Sequence, residues 1–281
     1  MRQELAVSLR RADEGAPVAF PLKSLDEVDE LAADLWNFRY RCWVPHDRSE
    51  ARICPIGDPD ADRTIVVLGD SHAGQWLPAF DAIGKDLGYR VVPLIKFGCV
   101  PYDVPLVTDD LTRPYTECED FRTWVLAKIP ELDPDVVYVG SRTMPGNLVA
   151  SEEERAQVWS DGVASTVAVL RESTPDVRLL ADTTRLDFEP IECLTDVHAT
   201  MATCTADELT VVREANELTR LAARDGGAAY IEITPLVCLD QRCPAFAGGR
   251  MVFTNYDHLS IDWVEHVLPD LAKVRNALPS A

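Results

Sequence analysis

The chain has 281 residues, 47 % hydrophobic and 26 % charged, enough to bury a sizeable core in one large α/β domain or two small ones. Lys and Arg number 27 against 47 Asp and Glu, a formal charge of −20 that phosphate backbones and anionic membrane surfaces repel, which argues against nucleic-acid partners. No apolar run reaches the roughly 18 residues that a bilayer-spanning helix needs.

Residues 1–63 carry no strand pattern and read as an N-terminal extension packed on a main domain of residues 64–281. Leu25, Val28, Leu31, Ala32 and Leu35 recur at helical spacing and predict a helix over 25–36. Residues 42–54 are polar and loop-like, and Gly57-Asp58-Pro59-Asp60 is a turn cluster. Strand–helix alternation begins at Thr64-Ile65-Val66-Val67-Leu68, a short run rich in β-branched residues that suits a buried strand. It runs into Gly69-Asp70-Ser71-His72 and a helix over about 73–87. Further strands are predicted at 89–97, 135–140, 177–181 and 229–233, with helices over about 116–129, 151–172, 205–224 and 260–277. Ser151 with Glu154, and Thr205 with Glu208, read as capping boxes; Gly226-Gly227 ends the third of these helices, and Ser260 caps the last. Residues 235–257 read as loop. Five short strands alternating with helices predict a parallel sheet covered on both faces. Its chemistry belongs at the carboxyl ends of the strands, where Ser71, Gly98, Ser141 and Asp182 fall.

Eight cysteines stand at 42, 54, 99, 118, 193, 204, 238 and 243, with no Cys-x-x-Cys pair and hence no zinc-finger spacing. They fall into four local pairs, Cys42–Cys54, Cys99–Cys118, Cys193–Cys204 and Cys238–Cys243, each closing a loop. Four disulfides place the chain outside the cytoplasm. Because residues 1–11 lack the apolar core of a signal peptide, that reading implies an export element upstream. Free thiols serving redox chemistry or a metal are the competing reading.

A serine at the exit of a buried strand, just before a helix N-terminus, is a candidate nucleophile; it needs a base and oxyanion donors. His72 adjoins Ser71 and points elsewhere, which suits a structural or substrate-contact role. His46 and His198 lie in cysteine-bounded loops as surface residues, and His266 sits among apolar residues of the last helix. His258, in a loop that follows the last strand and can fold over the sheet's carboxyl edge, is the base candidate by position.

Gly69-Asp70-Ser71-His72, Lys96-Phe97-Gly98-Cys99 and Asp257-His258-Leu259-Ser260, in this order, resemble the SGNH hydrolases. Gly-Asp-Ser-His-Ala-Gly-Gln-Trp-Leu-Pro-Ala, the Gly98-Cys99 step and the local cysteine pairing are similar to the branch fused to membrane acyltransferases of the type-three family. The resemblance covers about residues 42–275. It implies a flavodoxin-like three-layer sandwich around a five-stranded parallel sheet. It implies Ser71 as nucleophile with its own N–H as one oxyanion donor, Gly98 as the second, and His258 as general base. The chain departs from the family twice. Gly140-Ser141-Arg142-Thr143 lacks the usual Asn, leaving Arg142 as a stand-in donor. Asn255 occupies the position of the acid three residues before the histidine, so either Asn255 or the adjacent Asp257 orients His258, although neighbouring side chains rarely face each other.

The implied function is extracytoplasmic, serine-dependent O-acyl (acetyl) transfer to, or hydrolysis from, a cell-envelope carbohydrate or glycolipid. It requires no cofactor or metal, and its partner is a membrane acyltransferase domain in the same full-length chain. The alternative is a catalytically weak SGNH module that binds and presents the glycan acceptor.

Overall fold

A computed structural model describes residues 1–18 and 42–279. The helix expected over 25–36 lies outside the described residues. In chain order the elements are α1 (Arg2–Asp13), β1 (Ile56–Gly57), β2 (Arg63–Gly69), α2 (Ser71–Gly74), α3 (Leu77–Leu87), β3 (Tyr89–Ile95), α4 (Thr116–Leu132) and β4 (Val136–Gly140). There follow α5 (Arg155–Ser173), β5 (Val177–Leu180), α6 (Pro190–Thr195), β6 (Thr205–Asp207), α7 (Thr210–Asp225), β7 (Ala229–Ile231), β8 (Arg242–Pro244), β9 (Phe246–Ala247), β10 (Arg250–Met251) and α8 (Ile261–Leu271). Two compact units result. One comprises Arg41–Asp182, Glu214–Glu232 and Arg275–Ala281; the other comprises Thr183–Arg213 and Ile233–Val274 with the N-terminal residues.

The first unit holds a six-stranded sheet in the order β1-β3-β2-β4-β5-β7. All five expected strands are present and mutually parallel. Counted among themselves they run 2-1-3-4-5, the flavodoxin-like doubly-wound order, whose switch point lies between β2 and β4. The sixth strand, β1, is a two-residue antiparallel edge, Ile56 opposite Val91. β2 is central because it is apolar on both faces: Ile65, Val66 and Val67 are fully buried and Leu68 nearly so. One face packs Val66, Leu68, Leu94, Val137 and Val139 against Phe121, Val125 and Ile129 of α4 and Trp159, Val163 and Val167 of α5. Burying such side chains contributes roughly 1.5–3 kcal/mol each. α3 ends at Gly88, a left-handed C-cap.

In the second unit β6 pairs antiparallel with β8, β9 with β10 through Gly248 and Gly249 at positive φ, and Trp263 Nε1 on α8 donates to Leu236 O at 3.1 Å. Ser260 caps α8 as expected, its Oγ accepting from Trp263 N–H at 3.0 Å while donating to Met251 O at 2.6 Å.

Several boundaries differ from the sequence reading. Thr205 does not cap a helix; it opens β6, whose pairing with β8 overrides the local capping pattern, and the helix begins at Thr210. Ser151 Oγ bonds Glu154 Oε2 at 2.7 Å, but the helix starts only at Arg155. The 235–257 stretch contains three short strands, and α8 ends at Leu271. The disulfides are Cys42–Cys54, Cys99–Cys118, Cys193–Cys204 and Cys238–Cys243.

Candidate active site

β2 leads directly to Ser71. Gly69 lies level with Ile95 and Gly140 on its two neighbours, and a Cβ at Gly69 would collide with the Gly140 carbonyl oxygen, so only glycine lets the strands approach here. Asp70 is the N-cap of α2: its Oδ1 accepts from His72 N–H at 2.8 Å. Its Oδ2 accepts from Arg142 N–H at 3.0 Å, which ties the Ser71 turn to the exit of β4 across the switch point. Asp70 is buried, and that burial pushes its carboxyl above the ordinary range, opposed by His72 and by the two N–H bonds. Ser71 is the first residue of α2, where backbone N–H groups point outward.

Beneath the turn, His72 Nδ1 meets Asp182 Oδ1 at 2.6 Å. Asp182 Oδ2 accepts from Thr143 N–H at 2.9 Å and Thr143 Oγ1 at 3.0 Å. Asn216 on α7 brackets the Asp182 backbone, accepting from its N–H and donating to its carbonyl, both at 2.9 Å. His72 and Asp182 are both buried, which fits the structural role expected of His72. Asp182 was legible only as a residue at a strand end; its pairing was not.

Gly98 follows β3 at φ +60, a conformation that favours glycine. Lys96 N–H bonds Gly69 O at 3.0 Å, so Ser71 and Gly98 each stand two residues beyond a bonded pair on adjacent strands. Arg142's N–H is taken by Asp70, so its backbone amide is not the third oxyanion donor. Ser141 Oγ bonds the Arg142 carbonyl at 3.0 Å.

His258 lies in the second unit, in a closed loop: Phe253 bridges Leu259, and Thr254 N–H donates to His258 O at 2.8 Å. Asn255 Oδ1 accepts from the backbone N–H of Asp257 at 3.1 Å and of His258 at 2.8 Å, an Asx turn. The bend brings both orienting candidates to one atom: His258 Nδ1 is 2.8 Å from Asp257 Oδ1 and 3.1 Å from Asn255 Oδ1. Neighbouring side chains rarely face each other, but here the turn swings those of Asp257 and His258 together, and both orienting candidates stay within reach of Nδ1. A Nδ1 held by acceptors fixes the tautomer that places the lone pair on Nε2. Of the other histidines, His46 is exposed, and His266 Nε2 pairs with Glu4 Oε2 at 2.8 Å.

The model of the SGNH domain, of the kind fused to AT3 domains, matches residues 41–273. The fold is similar to that of a Salmonella ser. Paratyphi A lipopolysaccharide acetyltransferase periplasmic domain, at 15 % identity and TM-score 0.60 over 77 % of this chain and 85 % of that one. An acetylxylan esterase from Geobacillus stearothermophilus aligns at 10 % identity and TM-score 0.42 over 78 % of this chain and 96 % of its own. No curated protein matches by sequence.

Proposed function

We propose serine-dependent O-acyl chemistry for this chain, which belongs to the family of SGNH domains fused to AT3 domains. The observation that carries the proposal is the pair of preparations on separate strands and loops: a serine opening a helix at the switch point, and a histidine whose Nδ1 is held 2.8 Å from a carboxylate.

In this reading Ser71 Oγ attacks the carbonyl carbon of an acyl ester, and His258 Nε2 takes its proton. Asp257 stabilises the resulting imidazolium, and Asn255 holds the turn. The N–H groups of Ser71 and Gly98 bind the oxyanion, with the Arg142 guanidinium as a cationic contact. His258 then returns the proton to the leaving oxygen. A sugar hydroxyl, or water, attacks the acyl-serine with His258 again as base, and Ser71 is regenerated.

The acyl group proposed is acetyl, delivered from a membrane acyltransferase domain of the same full-length chain and passed to a cell-envelope carbohydrate or glycolipid. The AT3 fusion of the family supports the partner, and the four disulfides support an extracytoplasmic setting. No described helix is long and apolar enough to cross a membrane. The alternative reading, a binding-only module, draws on Asn255 replacing the acid; Asp257 beside Nδ1 supports the catalytic reading.

The test is stoichiometric fluorophosphonate labelling and acetate release by wild type and Ser71→Ala. Labelling at Ser71, with a rate loss of at least about a thousandfold in the variant, is expected; equal rates in both proteins would refute the proposal.

A further inference from the structure

Residues 42–54, left as polar loop by the sequence, are bolted to the exit of β3. Val44 N–H bonds Ile95 O at 2.8 Å, and Phe97 N–H bonds Val44 O at 3.1 Å, so Val44 extends the sheet beside Lys96. The Lys96 side chain, fully buried, donates from Nζ to the carbonyls of Pro45 at 2.8 Å, His46 at 3.1 Å and Arg48 at 2.6 Å. The Cys42–Cys54 disulfide closes the loop. Trp43 fills the place that a side chain at Gly74 of α2 would take, and its ring lies 5.1 Å from Phe97. One rigid segment thus reaches from the Ser71 helix to the Phe97-Gly98 turn.

What this mount presents is His46. Its ring stacks on Phe97 at 5.9 Å and 26°. Its Nδ1 is 3.2 Å from Tyr115 Oη, and that hydroxyl donates to Phe97 O at 2.9 Å. The Tyr115 proton is therefore committed and its oxygen accepts from Nδ1–H, the tautomer of an imidazole whose lone pair is on Nε2. A Cβ on Gly98 would stand 3.2 Å from His46 Cε1 and 3.3 Å from Asp109 Oδ2. His46 and Asp109 flank Gly98, and their side chains remain 57 % and 65 % exposed.

We infer that His46 and Asp109 form a subsite for the hydroxyl groups of a neutral sugar. Resting on the reading of Ser71 and Gly98 as the reacting centre, this names the alcohol side of the ester or acceptor as what binds beside the oxyanion donor. Imidazole Nε2 and a carboxylate both accept hydrogen bonds, which suits hydroxyl donors, and Asp109 disfavours an anionic ligand. The buried lysine clip and the aromatic stack hold the imidazole in place, so little side-chain entropy is lost on binding.

The test uses Ser71→Ala protein carrying ¹³C-labelled histidine, so that turnover plays no part. It is titrated with the methyl glycosides of glucose, galactose, mannose and rhamnose, and with inorganic phosphate. A saturable shift of the His46 ring resonance with at least one glycoside is expected, weakened about fivefold by Asp109→Ala, as loss of exposed hydrogen bonds implies. Followed by line broadening of the glycoside's own proton resonances, His46→Gln, which keeps a side-chain acceptor, retains more affinity for that glycoside than His46→Ala. No shift of the His46 resonance by any glycoside up to about 100 mM, or tighter binding of phosphate than of every glycoside, overturns the subsite. Failure of fluorophosphonate labelling in wild type, with the glycoside shift intact, instead removes the acyl chemistry and leaves the sugar site standing.

Discussion

His72 Nδ1 and Asp182 Oδ1 stand 2.6 Å apart with side chains 2 % and 0 % exposed, a buried ion-pair geometry 110 residues apart in sequence, directly behind the proposed nucleophile. Removing one partner strands the other in the interior. Asp182→Ala is expected to destabilise the protein by about 3–5 kcal/mol, and His72→Ala by a similar amount. In urea denaturation the double variant should lose at least about 1 kcal/mol less than the sum of the two. Additive losses would show that the pair is not coupled.

Asp257 and Asn255 contact the same atom of His258, and the proposed mechanism gives them different roles. Asn255 Oδ1 already accepts two backbone N–H groups, so Asn255→Ala is expected to cost about 1–2 kcal/mol of stability through the turn. Asp257→Asn keeps the size of the side chain and removes the charge. It should lower kcat by about 10²–10⁴ with little change in thermal midpoint. An Asp257→Asn enzyme with full kcat would transfer the orienting role to Asn255.

Asp70 carries a pH signature. Burial raises its folded pKa above the ordinary carboxylate value, so in the window just above that value the folded state binds more protons than the unfolded state. Stability contributed by this group therefore falls as pH rises through the window. Asp70→Asn loses one of the two N–H bonds and should be less stable than wild type at acidic pH. The gap should narrow as pH rises, measured by denaturant unfolding between about pH 4 and 7. A gap that widens with pH would reverse the assigned direction.

The Lys96 clip predicts a local effect. Lys96→Met leaves three carbonyls without the ammonium and is expected to cost about 1–3 kcal/mol. Amide exchange should speed up in residues 44–48 ahead of the β2 amides. Uniform acceleration across the sheet would show that Lys96 supports the fold as a whole and not this loop.

The sheet and the turn that carries Ser71 were legible because their signals are local. Thr64–Leu68 is a short run rich in β-branched residues, and Gly69-Asp70-Ser71 is a turn at its end. What was not legible was set by pairing at a distance. Thr205 through Glu208 satisfies a capping box in sequence, yet β8 and the Cys193–Cys204 bridge draw it into a strand. Ile56-Gly57 is too short to show a strand pattern and pairs only because β3 has an open edge. Between Asp257 and Asn255 the sequence left the orienting group open, because the Asx turn that brings both to Nδ1 depends on where the Asn255 side chain points. Lys96 follows the apolar run of β3, and nothing local in the chain shows that its ammonium is held by backbone carbonyls 48 to 51 positions earlier.

Each of the four disulfides joins a cysteine to its immediate neighbour among the cysteines, across separations of only 12, 19, 11 and 5 residues. Eight thiols allow on the order of a hundred connectivities. Here the native one is also the pattern of shortest loops, and a ten-residue loop closes in about 10–100 ns. In the proposed extracytoplasmic setting every bridge can form as soon as its own short segment meets an oxidant, before the sheet is assembled. Oxidative maturation of this chain thus demands an oxidant and makes little use of a disulfide-shuffling catalyst.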